Sequence, residues 1–224
     1  MKLETRTIQV LKNFSSINQS LLFTKGKTLT TVSPQKTTIA KANIKEEIPT
    51  TFAIYEISKF LGVLTLFDTP DIEIEDKQAV IKAGQQKVQY TFADPRMIVS
   101  PSDKLLSWLE NDVPEPEVTF RVTSDILQNV FKAMGVLQLP EFAITGEDGS
   151  LFVEGIDSKN PSENNYRLEV GSTEYTFRSI FKFENMKLIS GDYTIGVCST
   201  GLGVFEGNDV SYWITSEANS YFRK

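Results

Sequence analysis

The chain has 224 residues, 40% of them hydrophobic and 23% charged, with 15 Phe, which is enough for one large domain or two of roughly 110 residues and too apolar for a disordered chain. It has no His and a single Cys, Cys198, which excludes Ser/His/Asp and Cys/His catalysis, zinc sites of the usual ligand count and any intrachain disulfide. The net charge of -6 is unevenly spread, with Lys and Arg against Asp and Glu running 14 to 12, or +2, over residues 1–110 and 9 to 17, or -8, over 111–224, so any nucleic acid must be met by a basic patch on one face.

In chain order, residues 4–18 place Ile8, Leu11, Phe14 and Ile17 at spacings of three, with Val10 beside them, and this stripe predicts an amphipathic helix. Leu21–Phe23 and Leu29–Val32 flank Thr24-Lys25-Gly26-Lys27, which predicts a hairpin closed at the glycine. Residues 51–67 open like a strand and then set Ile57, Phe60 and Leu61 at helical spacing, with Gly62 as the expected stop. Asp71-Ile72-Glu73-Ile74-Glu75 alternates as a half-buried strand, its acids on the solvated side, and Val80–Lys82 and Val88–Phe92 continue the pattern across Gly84.

Pro95, Pro101, Pro114 and Pro116 then mark residues 96–118 or so as a linker between a first domain, 1–110, and a second, 111–224. The linker carries Leu105, Leu106, Trp108 and Leu109, which must pack on a neighbouring domain or on a partner. Beyond it, SDILQNVFKAM at 124–134 repeats the stripe of the first helix, with Ile126, Leu127, Val130, Phe131 and Met134. A hairpin follows over Glu141–Thr145, a turn at 146–149 and Ser150–Ile156, and YTFRSIFKFENMKL at 175–188 overlays TFAIYEISKFL as a fourth helix. The offset is about 120 residues, so the chain reads as two copies of one helix-hairpin-strand-helix unit in an α+β fold.

The four predicted helices share a charge pattern. Glu4, Glu56, Asp125 and Glu184 stand near their starts and Lys12, Lys59, Lys132 and Lys187 stand later. Two readings fit: compensation of the helix dipole on solvated helices, or a cationic row that meets phosphates without reading a base. Catalytic motifs are absent, with no GxxxxGK[ST], HExxH or CxxC. Gly201-Leu202-Gly203 lacks a strand-turn-helix context and reads as a hairpin turn, and Cys198 as a small buried thiol. The absence of an 18-residue apolar run, and of an apolar core in MKLETRTIQV, predicts a soluble cytosolic chain with no membrane partner.

LKNFSSIN (11–18), FAIYEISKFLGVLTLF (52–67), Ala93-Asp94-Pro95 and ENMKLISGDYTIGVCSTGLGVFEG (184–207) resemble, in order and over nearly the full length, the DNA polymerase processivity clamps of T-even-like tailed bacteriophages. The resemblance implies two repeated, helix-lined β domains of the DNA clamp type and a homotrimer closed head to tail around duplex DNA, with helices at the hole and Lys12, Lys59, Lys132 and Lys187 facing the phosphates. It also implies a non-enzymatic factor without cofactor or metal that tethers the replicative polymerase, is placed on DNA by an ATPase clamp loader and works in the cytoplasm of the infected bacterial host. A groove beside the connector would take the polymerase's C-terminal peptide, with Leu105, Leu106 and Trp108 as candidates by position. The connector departs from the Pro- and small-residue-rich pattern expected of the family. A β-rich virion or scaffold protein, or an acid-based hydrolase, is the rival class.

Overall fold

The stripe predicted for residues 4–18 folds as helix α1, Thr5–Ile17, in a computed structural model that describes residues 1–160, 162 and 164–223. Val10, Leu11, Phe14 and Ile17 are buried and Gln9, Lys12 and Ser16 exposed, so the predicted face is the packed one. The chain divides into two compact units, Met1–Leu109 and Glu110–Lys224.

In the first unit α1 is followed by β1, Leu21–Phe23, β2, Gly26–Val32, β3, Thr38–Ile48, and β4, Phe52–Ile54, then by helix α2, Ile57–Leu64, and by β5, Asp71–Ile74, β6, Gln78–Ala83, and β7, Gln86–Thr91. The hairpin expected between residues 21–23 and 29–32 does not form. β1 pairs antiparallel with β4, Leu21 opposite Ile54, while β2 pairs with β3. Gly26, at φ +118°, turns the chain out of one pairing and into the other, placing Gly26 opposite Ile48. Gly62 does not stop α2, which runs one further half-turn to Leu64, because its missing side chain faces open space and costs only backbone entropy. α1 and α2 pack against each other, α2 contributing Ile57, Phe60, Leu61 and Leu64 to the core. β5, β6 and β7 form an antiparallel meander in that order, with Asp71 and Glu73 exposed and Ile72 buried, as the alternation requires. The Met1 backbone continues this meander, its nitrogen donating to Ile72 O at 2.6 Å and its carbonyl accepting from Ile72 N at 2.8 Å.

The second unit contains β8, Val118–Val122, helix α4, Ser124–Leu137, and strands β9, Glu141–Glu147, β10, Ser150–Ile156, β11, Tyr166–Ser172, β12, Thr176–Lys182, β13, Tyr193–Cys198, β14, Leu202–Glu206, β15, Val210–Thr215, and β16, Tyr221–Arg223. α3, Asp103–Asn111, straddles the division between the units. One sheet runs β11-β10-β9-β12-β16, and β8, β13, β14 and β15 pair in the order β8-β13-β14-β15. The β9–β10 hairpin is tighter than the sequence suggests: the turn is Asp148-Gly149 alone, both at positive φ (51° and 85°), the backbone that a two-residue primed turn needs.

The fourth predicted helix is absent. Residues 176–182 are strand β12, followed by a single 3₁₀ turn, Phe183–Asn185. Phe177, Ile180 and Phe181 are buried on strand faces, and a short apolar run of this kind suits a buried strand as well as a helix. The duplication survives this loss, because pairing β1–β4 recurs as β9–β12, β2–β3 as β10–β11, and the β5-β6-β7 meander as β13-β14-β15. β8, which pairs with β13, takes the place that the Met1 backbone holds against β5.

α4 lies on β10 through Leu127, Val130 and Met134, and the contact depends on Gly155. A Cβ there would stand 2.5 Å from Met134 Cγ and 3.0 Å from Leu139 Cδ1, both in the buried core. Gly155→Ala is therefore expected to destabilise the protein by about 1–3 kcal/mol through overpacking, read as a fall in the urea midpoint with an unchanged m-value.

Candidate nucleic-acid interface

Each unit presents one long helix whose outward face carries one lysine among mostly polar residues, with Val136 of α4, one turn beyond Lys132, 74% exposed. On α1 the exposed residues around Lys12 are Gln9 and Ser16; on α4 those around Lys132 are Asp125, Gln128 and Asn129. Lys12 stands five residues before the end of α1 and Lys132 five before the end of α4, at the 120-residue offset of the duplication. Neither α1, α2 nor α4 has a basic residue in its last turn. The dipole acts only over the terminal turns, so compensation does not account for these lysines. Lys59 makes the point more sharply. It is the third residue of α2, at the positive end, 72% exposed, with a single ion pair among the described residues, to Glu56 at 4.0 Å.

Lys187 departs from the prediction. It follows the 3₁₀ turn instead of standing on a helix, and its exposed side chain lies at the rim of a cleft of about 650 Å³ with Lys159, Lys182, Phe131 and Glu184. The acids also differ from a simple capping role. Glu4 and Glu56 occupy the cap positions of α1 and α2 without capping them by side-chain hydrogen bonds, and Glu4 instead pairs with Lys45 at 2.8 Å. The α4 terminus is capped from a distant loop, where Asp192 accepts the Ser124 N–H at 2.9 Å and meets Arg121 at 3.2 Å. The Ser124 N–H, with Arg121 behind it, holds this carboxyl below the usual carboxylate range. The cap is thus in place above about pH 4 and is lost as pH falls through the lowered value.

The linker is not extended. Ser102 Oγ accepts the Leu105 N–H at 3.3 Å and Asp103 stands in the first turn of α3, so Pro101 and Pro114 bracket a helix that they were expected to prevent. Leu105, Leu106 and Trp108 all lie on α3, each half-buried, and the helix has no buried residue. Before it, Asp94 caps the 3₁₀ turn Pro95–Met97, and its hydrogen bonds to the Arg96 side chain and backbone hold its carboxyl down to about 2. Cys198 is buried and its thiol is pushed up to about 11 by that burial, which keeps it protonated and unreactive. Among the described residues no group of three or more His, Cys, Asp or Glu is placed to hold a metal ion, and no helix is long and apolar enough to cross a membrane.

Residues 2–100 match the family model of the DNA polymerase processivity factor, and residues 119–218 that of the gp45 sliding clamp, C terminal. Over 233 residues the chain is 32% identical to the sliding clamp of Escherichia phage RB69, with 98% of each chain covered. The chain belongs to the sliding clamps. It is also 30% identical to the sliding clamp of Enterobacteria phage T4 over 98% of each chain, and 28% identical to that of Vibrio phage KVP40 over 97% of this chain and all of the relative. Among solved structures, the PCNA2-PCNA3 complex from Sulfolobus tokodaii shares the fold, with TM-score 0.68, 12% identity and coverage of 98% of this chain and 100% of that one. The DNA polymerase III subunit beta from Pseudomonas aeruginosa gives the same TM-score at 9% identity, covering 98% of this chain and 64% of that one. The α+β clamp fold expected from the sequence is thus the fold observed, and the clamp is a DNA polymerase processivity factor.

Each unit also ends a sheet in a long strand: β7, close to the Val88–Phe92 strand expected from the sequence, and β11, which the sequence reading did not anticipate. β7 and β11 each leave one edge unpaired, and neither has a buried residue along six and seven positions. The alternation of β7 was legible in the sequence, but which strand lies at an edge is a property of the sheet.

Proposed function

We propose that three copies of this clamp close head to tail into a ring around duplex DNA, with α1, α2 and α4 toward the hole and β7 of one copy pairing with β11 of the next. The observation that carries this reading is the placement of Lys12, Lys59 and Lys132: exposed, on helices, and away from the helix ends where a dipole would favour them. Exposed cations on helix faces make screened contacts with phosphates at any base sequence, a grip that still slides. β7 and β11 are bare, half-exposed edges of similar length, and a ring leaves no such edge open.

The remaining parts of the reading follow from the family. The clamp tethers the replicative polymerase and does no chemistry itself; α3, with Leu105, Leu106 and Trp108, receives the polymerase's C-terminal peptide. Each unit acts as one clamp domain, an ATPase loader opens the ring onto DNA, and the protein works in the cytoplasm of the infected bacterial host, with Lys187 as the fourth phosphate contact.

Light scattering tests the assembly. A ring has three times the 25.2 kDa chain mass, or 75.6 kDa, and raised salt should shift it toward monomer, because the +2 and -8 halves of the sequence attract across a front-to-back contact. A monomer at roughly tens of micromolar in low salt overturns the ring, since assembly follows concentration.

A further inference from the structure

Glu154 is the one charged residue among the buried described residues, with its side chain 5% exposed. It sits mid-strand on β10, on the face opposite the one that Gly155 turns to α4. A buried carboxylate is stable only when its charge and lone pairs are met, and here three strands supply the partners. Thr145 of β9 donates to Oε2 at 2.7 Å, Arg178 of β12 reaches the same oxygen at 2.8 Å, and Arg167 of β11 meets Oε1 through Nε at 3.2 Å. In the sheet order β11-β10-β9-β12 these residues form a strap across four strands, centred on one carboxylate.

The strap ends on the edge strand. Arg167 lies directly opposite Glu154 in the β10–β11 register, pairs a second time with Glu147 at 2.7 Å and stacks over the Phe152 ring at 3.6 Å. The same ladder has a bulge between Leu151 and Phe152, so the pairing of β10 with β11 changes register within the ladder. A slip of one residue would turn Arg167 to the other face and bring Leu168 beside Glu154, leaving the buried carboxylate one cation short.

We propose that Glu154 is a positioning residue for assembly: by holding Arg167 it sets the register of β11, and so the positions at which that strand's bare edge meets the next copy. The assembly half of this proposal rests on the ring reading above; the register half does not. Its nearest parallel in kind is a single buried polar residue that fixes the pairing register of an otherwise apolar interface.

Amide hydrogen exchange on Glu154→Gln, Arg167→Gln and the double variant tests it, alongside light scattering of each. Glu154→Gln should raise exchange at the β11 amides that bond to β10 by about tenfold or more while the amides of β13 and β14 keep their wild-type rates. Arg167→Gln should do the same, and the double variant should exchange no faster than either, because both lose one coupling. The monomer–trimer dissociation constant should rise by about tenfold. Equal acceleration throughout the second unit overturns the proposal, as do additive effects of the two substitutions, since either makes Glu154 a general stabiliser. Selective exchange with wild-type assembly overturns the link to the edge. A wild-type chain that never self-associates, with β11 exchange still raised selectively in the variants, removes the ring reading and leaves the register role standing.

Discussion

Replacing Lys12, Lys59, Lys132 and Lys187 together by Glu should abolish processive synthesis on primed DNA at low salt while leaving fold and ring mass unchanged. All four side chains are exposed, so no core contact is touched. Three copies would place twelve carboxylates where twelve ammonium groups stood, and DNA affinity should fall by roughly a hundredfold or more as each lost phosphate contact removes a counterion-release contribution. The salt dependence of binding should flatten in the variant, and at high salt the two proteins should converge, because the wild-type contacts are then screened. Single reversals should rank with position: Lys12 and Lys132, on long helices at matching points of the duplication, ahead of Lys187, which lies beyond the 3₁₀ turn at a cleft rim. A quadruple variant that folds, assembles and remains fully processive at low salt would show that these lysines serve only solubility.

The second large effect is expected at α3. Trp108→Ala should weaken binding of the polymerase's C-terminal peptide by about 1–4 kcal/mol if the indole anchors it, roughly 5- to 1000-fold in affinity, measured by fluorescence anisotropy of the labelled peptide. Because no residue of α3 is buried, the thermal midpoint should move little. The opposite pattern, unchanged peptide binding with a clear fall in midpoint, would assign Trp108 to packing its own chain. Leu105→Ala and Leu106→Ala separate the two cases further, since a peptide groove loses affinity at each residue that lines it, and a helix merely resting on the protein does not.

What the sequence determined by itself was the local and the periodic. The stripes of α1 and α4 were legible because a 3.6-residue period and a one-sided apolar face are written within a dozen residues, and the 120-residue offset follows from their repetition. The β5-β6-β7 meander and the β9–β10 hairpin were legible for the same reason, with each strand pairing its neighbour across a short turn. α3 carries its own signals, since Pro101, Ser102 and Asp103 at its start and Pro114 beyond its end are helix boundary residues, but proline density alone reads as linker. Only the tertiary structure decided the rest. β1 takes β4 and not β2 as its partner, β12 is a strand where its apolar spacing also suited a helix, and Glu154 gathers Arg167 and Arg178 from strands 13 and 24 residues away. In each case several local arrangements satisfy the same residues, and the choice among them is made by burial and charge pairing with segments distant in the chain, whose free energy appears only when the sheet is assembled.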